Sequence, residues 1–276
     1  MHFPFFILPF DHRSGFAKEL LGVTYPLDEA ATEKAKALKK IIWEGFLLAD
    51  EQTTTDGTLG ILVDEELGNE IIHDAKSHGV VHIVSVEQSG AKEFTFIHGD
   101  DFGKELKRIQ PTFSKALVNY TFGDEETNAK TREKLKRLSD FSIESDIPCL
   151  IEVLTGGADP ETMAKIIVEL EETGIKPAIW KLEGFADAEA WETIERVTDI
   201  PIVVLGHGQE RAEVDAWVKA AGESGKVEGI AIGRTVFLEP LKQFVAGKID
   251  QAAAAQEISA NFLHFISLWD ESGRGA

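Results

Sequence analysis

Residues 178–184 read Ala178-Ile179-Trp180-Lys181-Leu182-Glu183-Gly184, an apolar run that holds one lysine and stops at a glycine. Short apolar runs bounded by a turn residue are the mark of strands covered on both faces. Seven more such runs occur, at residues 5–10, 59–63, 80–86, 116–120, 149–154, 202–205 and 229–232. Between them, amphipathic stretches at 30–49, 65–77, 126–145, 160–173, 186–197 and 209–221 predict helices. Asp159-Pro160 reads as an N-cap followed by the first helical residue, and Gly79, Gly174 and Gly222 read as helix-closing glycines.

After a longer first unit the strands recur about every 30 residues, with no linker, low-complexity tract or break in composition. Residues 1–276 therefore read as a single domain. Eight strand–helix units in one domain of this length predict an α/β fold of the (β/α)8 TIM-barrel class, with a doubly wound sheet as the alternative. A further helix at 251–269 follows the eighth unit, as an extra C-terminal element.

Composition narrows the function. A formal charge of −20 argues against nucleic acid or an anionic membrane surface as partner. No apolar run approaches the roughly 20 residues of a membrane span. The opening Met1-His2-Phe3-Pro4-Phe5-Phe6-Ile7-Leu8-Pro9-Phe10 lacks a basic start and reads as a buried first strand, not a signal peptide. The one cysteine, Cys149, lies in the run Pro148-Cys149-Leu150-Ile151 and reads as core filler. It excludes an internal disulfide and fits a reducing cytoplasm. The oligomeric state is left open, a homo-oligomer included.

In a TIM barrel the active site lies at the C-terminal ends of the strands. Those ends read Asp11-His12-Arg13, Asp64-Glu65-Glu66, Glu87-Gln88, Asn119-Tyr120, Glu152, Lys181 with Glu183, Gly206-His207-Gly208 and Gly233-Arg234, with Lys115 opening the fourth run. Burial disfavours the ammonium form of a lysine, so Lys181 is a candidate Schiff-base nucleophile. The bland alternative is a lysine that reaches solvent or pairs with an acid. Lys115 reads as a second cation, either tuning Lys181, holding a substrate anion or forming a structural ion pair. Glu152, among five apolar neighbours, is expected to have its pKa raised by burial, as suits a proton shuttle; a salt bridge to a nearby lysine is the alternative.

Asp11 and Arg13 read as a loop for a hydroxyl or carboxylate, or as a plain turn into a helix. Gly206, His207 and Gly208 with Gly233 and Arg234 suit a phosphate, held on glycine amides, a helix N-terminus and a guanidinium fork. The eight histidines show no ligand spacing, so no metal site is expected. The single Gly-His-Gly is too short for a dinucleotide fingerprint, and no nucleophile elbow supports serine hydrolase chemistry. No cofactor is expected.

Three segments carry a resemblance: Phe6-Ile7-Leu8-Pro9-Phe10-Asp11-His12-Arg13-Ser14, Trp180-Lys181-Leu182-Glu183 and Gly229-Ile230-Ala231-Ile232-Gly233-Arg234-Thr235-Val236-Phe237. The chain resembles the aldolase domain fused to the sugar kinase of bacterial myo-inositol catabolism, which is similar to the class I tagatose-bisphosphate aldolases. The likeness runs through Asn261-Phe262-Leu263-His264-Phe265 and Leu268-Trp269. It implies a metal-independent TIM-barrel lyase that forms a lysine Schiff base with dihydroxyacetone phosphate. By the resemblance Lys181 is the nucleophile, Glu152 the proton-transfer acid and Lys115 the second lysine, while Asp11, His12 and Arg13 fall on an Asp-Gln-Arg motif. Glu183 follows the nucleophile in the family's manner, and the phosphate end falls on Gly206 to Gly208 with Gly233 and Arg234.

Two departures, His12 for glutamine and Gly206-His207-Gly208 for a serine-containing turn, bear on the substrate. The kinase half is absent from this sequence. The expected substrate is a phosphorylated keto-sugar acid, 2-deoxy-5-keto-gluconate 6-phosphate, split to dihydroxyacetone phosphate and malonate semialdehyde. The alternatives are an aldolase for another keto-sugar or sulfosugar phosphate, and a barrel that binds a phosphosugar without catalysis.

Overall fold

The computed structural model describes residues 4–91 and 93–274. Its centre is a closed barrel of eight parallel strands in sequential order. They are β1 (Phe5–Pro9), β2 (Thr58–Val63), β3 (Val81–Ser85), β4 (Phe113–Asn119), β5 (Cys149–Leu154), β6 (Ile179–Leu182), β7 (Ile202–Leu205) and β8 (Val227–Ala231). Pairing of β8 with β1, Gly229 opposite Phe5 and Ala231 opposite Ile7, completes the ring. The doubly wound alternative is thereby excluded.

Among the described residues ten α-helices surround the strands. They are α1 (Ser14–Leu21), α2 (Glu29–Gln52), α3 (Glu65–Ser77), α4 (Phe102–Ile109), α5 (Glu125–Ser145), α6 (Pro160–Glu172), α7 (Ala188–Glu195), α8 (Arg211–Glu223), α9 (Arg234–Val245) and α10 (Gln251–Trp269). Asp159 caps α6 by accepting from the Thr162 amide, with Pro160 at the first turn. Helix α10 is the extra C-terminal element. It lies along α2, where Phe262 meets Phe46 at 6.1 Å, and ends with Trp269 edge-on to Phe6 of β1. No helix among the described residues is long and apolar enough to cross a membrane.

Three helices, α1, α4 and α9, are absent from the sequence-based expectation. The first two are only eight residues long, too short to show two full turns of apolar period. Helix α9 carries Pro240 in its interior, a residue that reads as a helix break. Gly222 does not close its helix: α8 runs on to Glu223 and ends at Ser224. Gly222 instead admits close packing, since a Cβ there would lie 1.7 Å from Ser272 Oγ. Strands β4 and β8 begin three and two residues earlier than expected, which places Lys115 inside β4, not at its start. Cys149 is buried and its thiol is pushed up to about 11 by burial, as suits core filler.

Two apolar layers follow from the strand period of two. Phe5, Ile7, Leu62, Ile83, Phe113, Leu150, Ile179, Val203 and Ala231 pack together inside the barrel. The alternate residues, such as Phe6, Leu8, Ile61, Val84, Ile151, Trp180 and Val204, join the larger core beneath the helices. Gly229 sits where the ring closes. Its φ is +146°, and a Cβ would fall 2.0 Å from the Phe5 carbonyl oxygen, so only glycine fits.

Candidate active site

The interior period continues upward past the apolar plug. Two residues beyond Phe113, Leu150 and Ile179 come Lys115, Glu152 and Lys181, so all three share the barrel interior's face of the pleat. The β5–β6 register sets Glu152 directly opposite Lys181. From the ends of β1 and β3 come Asp11 and Glu87. The five groups converge in a single cluster.

Lys115 is its hub. Its Nζ lies 2.8 Å from Asp11 Oδ2, 2.6 Å from Glu87 Oε1 and 3.0 Å from Glu152 Oε2. The same Glu152 oxygen lies 3.0 Å from Lys181 Nζ. Lys115 and Lys181 are 1% and 4% exposed, which excludes the reading of Lys181 as a lysine that reaches solvent. Buried charges at this density persist only when paired, and here three carboxyls meet two lysines.

The charges set the protonation of each group. Burial opposes the ammonium of Lys115, yet the Asp11, Glu152 and Glu87 carboxylates outweigh it and raise its pKa well above the usual lysine value. Burial tends to raise Asp11, but Lys115, with His12 and Lys181 behind it, holds that carboxyl below the usual range. Glu152 behaves in the same way. Its pKa is lowered, contrary to the expectation from its apolar neighbours, because Lys115 and Lys181 more than offset burial. Glu87 goes the other way: burial, reinforced by Asp11, raises it against the pull of Lys115 and Arg13. His12 falls to about 4, through burial first and then the positive charges of Arg234, Lys181 and Lys115 against Asp11.

A cavity of about 290 Å³ opens above the cluster, bordered by Asp11, Arg13, Glu87, Lys115, Glu152 and Lys181. Its outer wall is the segment after β3, where Gln88 N donates to Thr95 O at 2.8 Å and Ile97 N to Val86 O at 2.9 Å. Ser14 and Ser89 fasten this segment to the start of α1 through hydroxyls 3.1 Å apart. Arg13, at the N-cap of α1, is buried and donates from Nη2 to the Glu87 carbonyl at 2.5 Å, while its Nε has no partner. Among the described residues no carboxylate lies within ion-pair distance of Arg13, so the cavity wall holds a guanidinium without an acidic partner.

Other expected residues stand apart from this cavity. Glu183 takes up the amide and hydroxyl of Thr155 and lies 3.7 Å from His207 Nδ1. Gly206, His207 and Gly208 form the turn after β7, with His207 at φ 48° and Gly208 at 73°. Arg234 opens α9, whose N-cap Gly233 offers no side-chain cap, and donates to the His207 carbonyl at 2.6 Å. Its guanidinium fills the space a Gly208 side chain would need, 2.6 Å from the ideal Cβ. Arg234 borders a second, more open hollow of about 490 Å³ with Gly208, Arg211, Thr235 and Asn261. Among the described residues no group of three or more His, Cys, Asp or Glu side chains is placed to hold a metal ion.

Glu87 reads in the sequence only as a strand end, without a role. It stands one residue past an apolar run, as several surface acids do, and only closure of β3 against β4 brings it to Lys115.

Comparison with known proteins gives the barrel a context. The crystal structure of Cgl0159 from Corynebacterium glutamicum is similar with a TM-score of 0.61, over 93% of this chain and 86% of that one, at 18% sequence identity. The YdjI aldolase from Escherichia coli K12 is similar with a TM-score of 0.58, over 86% of this chain and 90% of that one, at 14% identity. At such identities the likeness is one of fold. No curated protein sequence matches. A family model described as "Uncharacterized protein conserved in bacteria (DUF2090)" matches residues 3–273.

Proposed function

The chain belongs to this bacterial family, and we propose that it is a class I aldolase in which Lys181 forms a Schiff base with a keto-sugar phosphate. The observation that carries the reading is the pairing of Lys181 with Glu152 at the floor of the 290 Å³ cavity. A nucleophilic lysine needs a neighbour to take and return protons, and Glu152 lies at hydrogen-bond distance from its Nζ. The fold shared with the YdjI aldolase is compatible with this chemistry.

The amine of Lys181 adds to the substrate ketone, and the carbinolamine loses water to give an iminium. A base removes the proton of the hydroxyl two carbons from the iminium carbon. The bond between the hydroxyl-bearing carbon and its neighbour breaks, the aldehyde leaves, and the electron pair enters the iminium to form an enamine. Protonation of that carbon and hydrolysis release the ketone product and free Lys181. Glu152 is assigned to proton transfer at Lys181, and Asp11 and Lys115 to charge balance around it.

The substrate we favour is 2-deoxy-5-keto-gluconate 6-phosphate, which carries a carboxylate at one end and a phosphate at the other. Arg13 offers the first an unpaired, buried guanidinium, while Arg234 with the uncapped start of α9 offers the second a site. The products are dihydroxyacetone phosphate and malonate semialdehyde.

Borohydride reduction in the presence of dihydroxyacetone phosphate tests the reading. A mass adduct on the peptide holding Lys181, absent in Lys181→Met, is the expected result, and activity should survive excess chelator. An active preparation that gives no adduct, or that loses activity to the chelator and regains it with zinc, overturns the class I assignment. Binding of the sugar phosphate without adduct or turnover assigns the barrel to ligand binding instead.

A further inference from the structure

Three carboxylates, Asp11, Glu87 and Glu152, share the one ammonium of Lys115, and Lys181 adds a single further positive charge to the cluster. With all five groups ionised the cluster carries one surplus negative charge in a buried place, where such a charge is strongly disfavoured. One proton more makes it neutral. The geometry shows which carboxyl takes it. Glu152 has two lysines on its Oε2, and Asp11 has Lys115 with His12 and Lys181 nearby. Glu87 has Lys115 on Oε1 alone, and its Oε2 is buried without any hydrogen-bond partner.

We infer that Glu87 is a positioning residue that keeps its proton when Asp11 and Glu152 are ionised, so that the two lysines face two negative charges instead of three. The inference rests on the aldolase reading for its consequence. A third negative charge in the cluster would work against release of a lysine proton; a neutral Glu87 removes that charge. Glu87 acts through Lys115 and the field of the cluster, and no proton passes from it to substrate. The direction of its own titration agrees, since burial and Asp11 raise it.

The charged or titratable groups facing Glu87 come from every side of the pocket. They are Asp11, His12 and Arg13 beyond β1, Glu93 in the segment after β3, Lys115 on β4, Glu152 on β5 and Lys181 on β6. His12 falls to about 4 and so stays neutral near neutrality. Asp11, Glu152 and Lys115 keep their charges across the same range. Of the three carboxyls in the cluster, Glu87 is the one that burial and its neighbours raise.

Two measurements test the inference. The first is independent of activity: the infrared C=O band of an un-ionised carboxyl should persist in the wild-type protein at about pH 6, where exposed glutamates have lost their proton. It should vanish in Glu87→Gln. The second is the pH profile of Schiff-base formation with dihydroxyacetone phosphate. The amide of Glu87→Gln is neutral like the protonated acid, so the acid limb should stay where it is in the wild-type protein, whereas replacing an ionised Glu87 would move it down by about one pH unit.

A downward shift of the acid limb in Glu87→Gln would show that the wild-type carboxyl is ionised there and overturn the inference, as would an upward shift. If Glu87→Gln does not fold, the wild-type spectrum decides: no un-ionised carboxyl at that pH refutes the proposal. A carboxyl band that persists and is lost in Glu87→Gln, in a protein that forms no Lys181 adduct, upholds the proton on Glu87 while rejecting the aldolase reading.

Discussion

Replacing Lys115 with methionine, which has similar length and no charge, probes the cluster most directly. The change leaves Asp11, Glu87 and Glu152 around an empty charge position, with only the Glu152–Lys181 contact at 3.0 Å intact. Lys115 is 1% exposed, so its carboxylate partners are largely desolvated. Removing one partner of a buried ion pair costs about 3–5 kcal/mol, because the other partner remains charged and desolvated. Here Asp11 loses its ion-pair partner while Glu152 keeps Lys181, so a loss of about 3 kcal/mol is expected at neutral pH.

The pH dependence follows from the titration directions. In the wild-type protein Asp11 and Glu152 have lowered pKa values. Their contribution to stability is present above the ordinary carboxylate range and is lost as pH falls through it and below. In Lys115→Met the carboxyls lose that stabilising charge, and burial alone raises them. Their protonation then relieves the repulsion, so the deficit should shrink as pH falls from about 7 to about 5. Urea unfolding at the two pH values, with unchanged m-values, measures both effects. A loss below about 1 kcal/mol, or a deficit equal at both pH values, would refute the account of Lys115 as the hub of a buried charge cluster.

Other outcomes are expected elsewhere in the site. Glu152→Gln should lower kcat by about 100-fold or more while borohydride still traps Lys181; a folded variant with full turnover would pass proton transfer to another group. Arg13→Met should raise KM about 10- to 100-fold for substrates that carry a carboxylate, the loss of one charge-assisted hydrogen bond. Arg234→Ala should raise KM for phosphorylated substrates by a similar factor, and an unchanged value in either variant would move that anion elsewhere. Gly229→Ala places a Cβ 2.0 Å from the Phe5 carbonyl and should lower stability by more than about 2 kcal/mol in a denaturant titration, since β8 cannot close on β1 without shifting.

The sequence by itself determined the strands and most of the helices, because these rest on local periodicity, and favoured the barrel, which the pairing of β8 with β1 then decided. Apolar runs such as Ile202–Leu205 declare burial on both faces wherever they lie in the fold. It also singled out Lys181, Glu152 and Lys115, since a charge inside an apolar strand stands out in one dimension. The short helix α4 and the proline-bearing α9 escaped, because their periods are brief or interrupted.

What only the tertiary structure decided is who meets whom. Asp11 and Lys115 are 104 residues apart and touch because the barrel closes. Glu87 enters the site through the same closure, and Arg13 is shown to lack a carboxylate partner only when its surroundings are assembled. The protonation of Glu152 reverses for the same reason. Its neighbours in sequence supply burial, which raises a carboxyl, whereas its neighbours in space supply two ammonium groups, which lower it. Desolvation can be read from adjacent residues, but Coulomb forces depend on distance through space, and that distance is set by the ring of strands.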